Sequence, residues 1–189
     1  MTPLALVEYA GLALVYAVIA TVIVRGGLLV FGCPRARIAA VTPALFLTSL
    51  FVALTHHPLP DRALLDCSQG GIQPILEPFR FIRLFRIMWN SNASLGDWLQ
   101  SLLILAPVMN LLVCVAIGAA LAGVVRRLWQ AVLFGTCLSG LIELSQLTGV
   151  FGLYPCAWRY FELDDLILNI GGIAIGYLLV RAFRTQPVT

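Results

Sequence analysis

An all-α integral membrane protein, with five transmembrane helices plus a short interfacial amphipathic helix, is the fold class this sequence predicts, and three observations predict it. Of 189 residues, 60% are hydrophobic and only 11% are charged, whereas about a quarter of a soluble domain is charged. Five apolar stretches have roughly the length that a ~30 Å hydrocarbon core demands of a helix. Arginines gather at the ends of these stretches that one side of a membrane would hold in common, as the positive-inside rule requires. A single domain over residues 1–189 is expected.

The net charge of +3 is carried by arginine, since the chain has no lysine. Those arginines sit beside apolar spans, so no nucleic-acid partner is expected. The five cysteines show neither CxxC nor Cys/His spacing, so neither a metal nor another cofactor is expected.

The first predicted span covers about 4–24 and carries Glu8 near its start, read as a solvated residue at the outer interface. Arg25, Arg35 and Arg37 follow it, the wrong polarity for a cleaved signal peptide, so the span should be retained. They assign the first loop to the cytoplasm and the N-terminus to the outside. A second, short span at 39–55 returns the chain outward and ends at His56-His57, read as an interfacial pair with a metal site as the alternative.

Residues 56–98 form the longest extracytoplasmic piece, punctuated by Pro58, Pro60 and Gly70-Gly71. Within it, Arg80, Arg83 and Arg86 recur at every third place among aromatics and aliphatics. That pattern suits a helix in the headgroup layer, basic face toward phosphates; an exposed basic helix is the alternative. The third span, 99–125, contains Pro107, expected to kink it, and Asn110, and closes on the Arg126-Arg127 anchor. The fourth is drawn from 128 to 154, the fifth from 166 to 183, ending with Arg181 and Arg184. Five spans, N-terminus out and C-terminus in, follow. On that topology Cys67 and Cys156 share the oxidising side, where a disulfide pinning the long loop over the outer end is permitted.

The stretch from Gly135 to Gly176 carries the polar residues that need explaining, because ionisable groups within a hydrophobic span are costly. Gly135, Ser139, Glu143 and Gln146 share one helical stripe; Asp165, Asn169, Gly172 and Gly176 share another. Docked antiparallel, the stripes set Gly135 by Gly176, Ser139 by Gly172, Glu143 by Asn169 and Gln146 by Asp165. The small residues would permit close backbone approach, and a polar site would open at the loop.

Those residues resemble the signature of the VanZ-like family of small bacterial membrane proteins: Glu143-x-x-Gln146, then Arg159-x-x-Glu162-x-Asp164-Asp165, with Asn169, Gly172 and Gly176 in step. Upstream, Pro78-Phe79, Asn110 and Gly118 also match, whereas Cys114 and Ala116 stand where Phe and Pro are usual. The departure predicts altered packing of the third helix. The resemblance implies the bacterial plasma membrane and a role in low-level resistance to glycopeptides with lipid-like tails, such as teicoplanin. It also makes Asn110 a candidate wall of the polar site, against an ordinary interhelical hydrogen bond.

Glu143, Glu162, Asp164 and Asp165 offer four carboxyls around Arg159. Glu143, the deepest, is expected to be neutral or paired with Arg159. Three roles fit this cluster. It could bind a lipid headgroup, a lipid-linked cell-wall precursor or a lipoglycopeptide, with Arg159 on phosphate or carboxylate and Gln146 and Asn169 on sugar or peptide groups. It could instead perform acid/base hydrolysis or transfer on a lipid-linked substrate, aided by a divalent ion on Glu162, Asp164 and Asp165; adjacent aspartates diverge by ~100° on a helix, which weakens that geometry. Or it could only lock the last two helices together.

Overall fold

The computed structural model describes residues 3–68 and 72–184; the Gly70-Gly71 turn lies outside them. Its elements are α1 (Pro3–Val30), α2 (Arg35–His56), a 3-10 turn (Arg62–Leu64), α3 (Arg80–Asn90), α4 (Leu95–Gln100), α5 (Leu102–Leu121), α6 (Leu128–Leu147), the single turn α7 (Gly149–Gly152) and α8 (Leu163–Arg184). Five of these, α1, α2, α5, α6 and α8, are long and apolar enough to cross a membrane. The fold class is the expected one, and several boundaries move for local reasons.

Helix α1 runs past Val24 and takes Arg25 into its last turns. It stops where Gly32 turns left-handed at φ 73°, with the Cys33 and Gly32 amides donating to the carbonyls of Leu28 and Leu29. This is a Schellman ending, which glycine permits and the following Pro34 enforces. The third predicted span is two helices. A reciprocal Ser94–Asp97 capping box opens α4, and extended backbone at Ser101 separates it from α5. The Ser94 hydroxyl and backbone amide also hold the Asp97 carboxyl below its ordinary range. The fourth span stops at Leu147 instead of reaching residue 154. Thr148 caps the turn beyond it, and Gly149, Val150, Phe151 and Gly152 all have positive φ.

Helix α8 is the centre of the bundle, packed against α5 and α6, while α2 covers α5 and α1 covers α2 at the edge. Cys114, Ile117 and Ile173 are fully buried at the α5–α8 contact. Outward faces stay apolar, with Val15, Ile19, Val22 and Ile23 on α1 among the exposed residues. Such faces are normal when lipid, not water, is the solvent. At one end of the bundle Arg184 donates to the Ala122 carbonyl and Arg181 to that of Arg126.

At the other end, two loops are stitched into a cover. The Ile72 amide donates to the Ala157 carbonyl, the Ile75 amide to Phe161, and the Leu163 amide to the Ile75 carbonyl. A Cys67–Cys156 disulfide, Cα atoms 5.7 Å apart, ties the same two loops, and the Arg62 guanidinium lies over the Tyr154 ring. The bridge closes a sequence separation of 89, and removing a crosslink of that span costs a chain about 2–4 kcal/mol. Cys67→Ser is therefore expected to lower the thermal midpoint of the purified protein and to admit protease into residues 58–68. An unchanged melt and digestion pattern would count against the covering role.

Candidate functional site

The polar residues of the covered end fall into two groups, one around α8 and one around the end of α2. Around α8, Asn169 Nδ2 donates to Ser139 Oγ at 3.0 Å, and the Cys114 thiol donates to Asn169 Oδ1 at 3.5 Å. Cys114 therefore fills its site as a small buried donor. Glu143, 1% exposed, accepts the Glu162 backbone amide at 2.9 Å. Its carboxyl thus anchors the strand of chain that enters α8.

Asp164 is equally committed. Its Oδ1 and Oδ2 accept the amides of Phe79 and Phe81 at 2.6 and 2.8 Å, capping α3 from another helix. Phe79 itself has φ 62° and provides no side-chain cap. A carboxylate against a helix N-terminus also meets the positive end of the helix dipole. The Asn110 side chain lies beside the Asp165 carboxyl. Both aspartates line a cavity of about 110 Å³ together with Arg80, Phe81, Glu162 and Pro107. The Glu162 carboxylate lies 3.8 Å from Arg80. Burial raises its pKa above the ordinary value, the Arg80 charge opposes that rise, and Asp164 adds to it.

Around α2, Arg159 Nη2 donates to the His57 carbonyl at 3.1 Å, and the Tyr9 hydroxyl lies near enough to feel the guanidinium charge. Tyr9 in turn donates to the Leu54 carbonyl and stacks on His57. His56 Nε2 lies 2.6 Å from Ser145 Oγ, and Gln146 Nε2 donates to the Thr55 carbonyl at 3.1 Å. The adjacent histidines therefore serve different partners. Among the described residues, no group of three or more His, Cys, Asp or Glu has a metal-holding arrangement.

Several sequence expectations are corrected here. The last two spans do pack antiparallel, but Ser139 meets Asn169, not Gly172, a shift of three residues, which is ~4.5 Å along a helix. Glu143 meets the Glu162 backbone instead of Asn169, and Gln146 reaches α2 instead of Asp165. Gly135 faces Ile170 and Ile173, not Gly176. Gly172 and Gly176 face Leu111 and Val115 of α5, because that is where the backbones come closest. Arg159 does not pair with Glu143; among the described residues the ion pairs within 4.0 Å are Arg80–Glu162 and Arg83–Glu77. Arg83 thereby has its charge answered within the chain, its Nη1 and Nη2 each donating to one Glu77 oxygen. Arg86 lies two turns into the same amphipathic α3.

Tyr9, Thr55, His56 and Ser145 were not anticipated as members of the polar end. The available signal was depth: each sits at the same end of its span as Gln146.

The family model for VanZ/LLP1 matches residues 26–184. The chain belongs to the VanZ-like family. No curated protein and no solved structure matches it. As a VanZ-like protein it is a multi-pass membrane protein of a family associated with resistance to teicoplanin-type glycopeptides. The match takes in both polar groups from Thr55 onward, leaving Tyr9 and most of α1 outside it.

Proposed function

We propose that this VanZ-like protein binds the polar part of a membrane-anchored envelope amphiphile at the covered end of its bundle, and so lowers susceptibility to teicoplanin-like antibiotics. The amphiphile is a lipid headgroup, a lipid-linked cell-wall precursor or a lipid-tailed glycopeptide. Arg25, Arg35, Arg37, Arg126, Arg127, Arg181 and Arg184 lie at or near the opposite end of the bundle. By the positive-inside rule that end is cytoplasmic, and the covered end faces outward.

The observation that carries the reading is Arg159. It is half-buried, tethered by the His57 carbonyl, and has no carboxylate within 4.0 Å among the described residues, although the Asp165 carboxyl feels its charge from farther away. A guanidinium held in place without a direct ion pair suits a phosphate or carboxylate brought by a ligand. Glu143, Asp164 and Asn169 spend their polar atoms on the chain itself and act as the frame, as the helix-locking reading expects of them. Asp165, Glu162 and Arg80 line the small cavity and are the groups left for a ligand's polar atoms.

The test is Arg159→Gln in cells challenged with teicoplanin, beside Arg83→Gln, whose charge is already paired. With equal protein levels, Arg159→Gln is expected to lose protection and Arg83→Gln to keep it. Binding of an anionic amphiphile by the purified protein should fall about tenfold or more, the loss of one charge-assisted hydrogen bond. Full protection by Arg159→Gln sinks the reading.

Acid/base turnover is the second reading, favoured by Asp165 and Glu162 sharing one cavity beside Arg80. Incubation of the purified protein with lipid-linked precursors, followed by mass spectrometry, decides it: a changed mass supports turnover, and unchanged precursor with or without Mg²⁺ removes it.

A further inference from the structure

A second cavity, of about 600 Å³, lies between α1 and α2. Tyr16 and Ala20 line it from α1, Thr48, Val52 and Ala53 from α2, and His57 stands at its upper end. From Thr48 to His57 the helix rises ~14 Å, about half of a ~30 Å hydrocarbon core and hence the depth of one leaflet. Its walls are mainly apolar along that depth, and Val15, Ile19 and Val22 on α1 are exposed to the same surroundings. The Thr48 and Ser49 hydroxyls mark its lower end, and charge comes near it only at the upper end, where the His57 carbonyl accepts from Arg159.

A slot one leaflet deep, with mainly apolar walls and a guanidinium held against its mouth through the His57 carbonyl, has the charge and polarity profile of one phospholipid chain beneath an anionic head. We propose that this groove holds one acyl chain of an anionic phospholipid from the surrounding leaflet, with its phosphate on Arg159. The inference deepens the binding reading above, because it uses the same arginine and adds the chain. Lipid tails outside the groove are as apolar as those inside it, so the hydrophobic effect alone cannot select the occupant. Selection falls to the head charge and to the fit of the slot.

Photolabelling of the full chain in phosphatidylcholine nanodiscs tests this. One arm contains a trace of phosphatidylglycerol with a diazirine midway along one acyl chain; the other carries the same chain on phosphatidylcholine. Adducts from the anionic probe are expected on Tyr16, Ala20, Thr48, Ser49, Val52 and Ala53, about tenfold or more above those from the zwitterionic probe, the discrimination of one charge-assisted hydrogen bond. Ala53→Trp should block them by filling the slot; Ala20→Phe, from the opposite wall, does the same should the first variant misfold. Arg159→Gln should erase the preference for the anionic head and leave chain labelling in the slot. Equal labelling of the groove residues by both probes, or adducts confined to Val15, Val18 and Val22 on the outer face of α1, overturns the proposal. Its failure is separable from that of the binding reading: protection from teicoplanin that depends on Arg159, without groove adducts, removes only the groove. Groove adducts with protection that ignores Arg159 remove only the binding reading.

Discussion

Gly176→Ala is expected to lower the stability of the bundle by about 3 kcal/mol or more, the upper end of what overpacking costs. A Cβ at position 176 would sit 1.9 Å from the Val115 carbonyl oxygen and 2.9 Å from the Ala119 amide nitrogen. Both are backbone atoms of α5, so no side chain can swing aside. The contact is reciprocal, since a Cβ on Gly118 would lie 2.0 Å from the Ile173 carbonyl oxygen. Relief requires α5 and α8 to separate, which loosens the packing of Cys114, Ile117 and Ile173. In lipid, where burial of apolar surface gives helices little reason to associate, such close packing supplies most of the adhesion. Gly171→Ala is the matched control: its Cβ meets nothing within 4 Å, and alanine raises helix propensity by about 1 kcal/mol. Thermal melts in one detergent should therefore move in opposite directions. Equal melts would show that the α5–α8 contact does not govern stability.

Asp164→Ala is expected to release α3 from the bundle while α5, α6 and α8 stay assembled. The carboxylate is 5% exposed and accepts two amides at the start of α3. Its loss leaves those N–H groups without a partner and the helix dipole unanswered. One buried hydrogen bond to a charged group contributes about 1.5–3 kcal/mol, enough to free an 11-residue helix that has no side-chain cap of its own. Hydrogen exchange should rise across residues 79–90 and stay low in α8. Asp164→Asn, which keeps one acceptor, should lie between. Protection unchanged over α3 in the alanine variant would count against a capping role. Because Arg80 and Phe81 also line the small cavity, release of α3 should open that cavity as well.

Periodicity made several features legible beforehand. Runs of apolar residues marked the five helices, arginines at every third place marked α3, and the stripes from Gly135 to Gln146 and from Asp165 to Gly176 identified polar residues that do lie at the covered end. The antiparallel packing of α6 and α8 followed from their short connection. Local chemistry set the boundaries: Gly32 stopped α1 only beyond Val30, Ser101 broke α4 from α5, and Gly149 ended α6 early.

Register and partnership were not legible. A helical stripe states which residues share a face, but several neighbours can receive that face. Gly172 and Gly176 suited α6 as well as α5 on paper, and only the approach of the α5 backbone at Val115 and Gly118 discriminates between them. Arg159 was surrounded by carboxyls in the sequence, yet Glu143 is committed to the Glu162 amide and Asp164 to α3, which leaves the arginine to His57 and Tyr9. The order of residues thus determined the helices, their faces and the depth of their polar groups, because each depends on contacts within a few residues. Which face meets which, and which charge is left without an ion pair, depends on backbone distances between helices far apart in the chain. Those distances exist only once all five are packed.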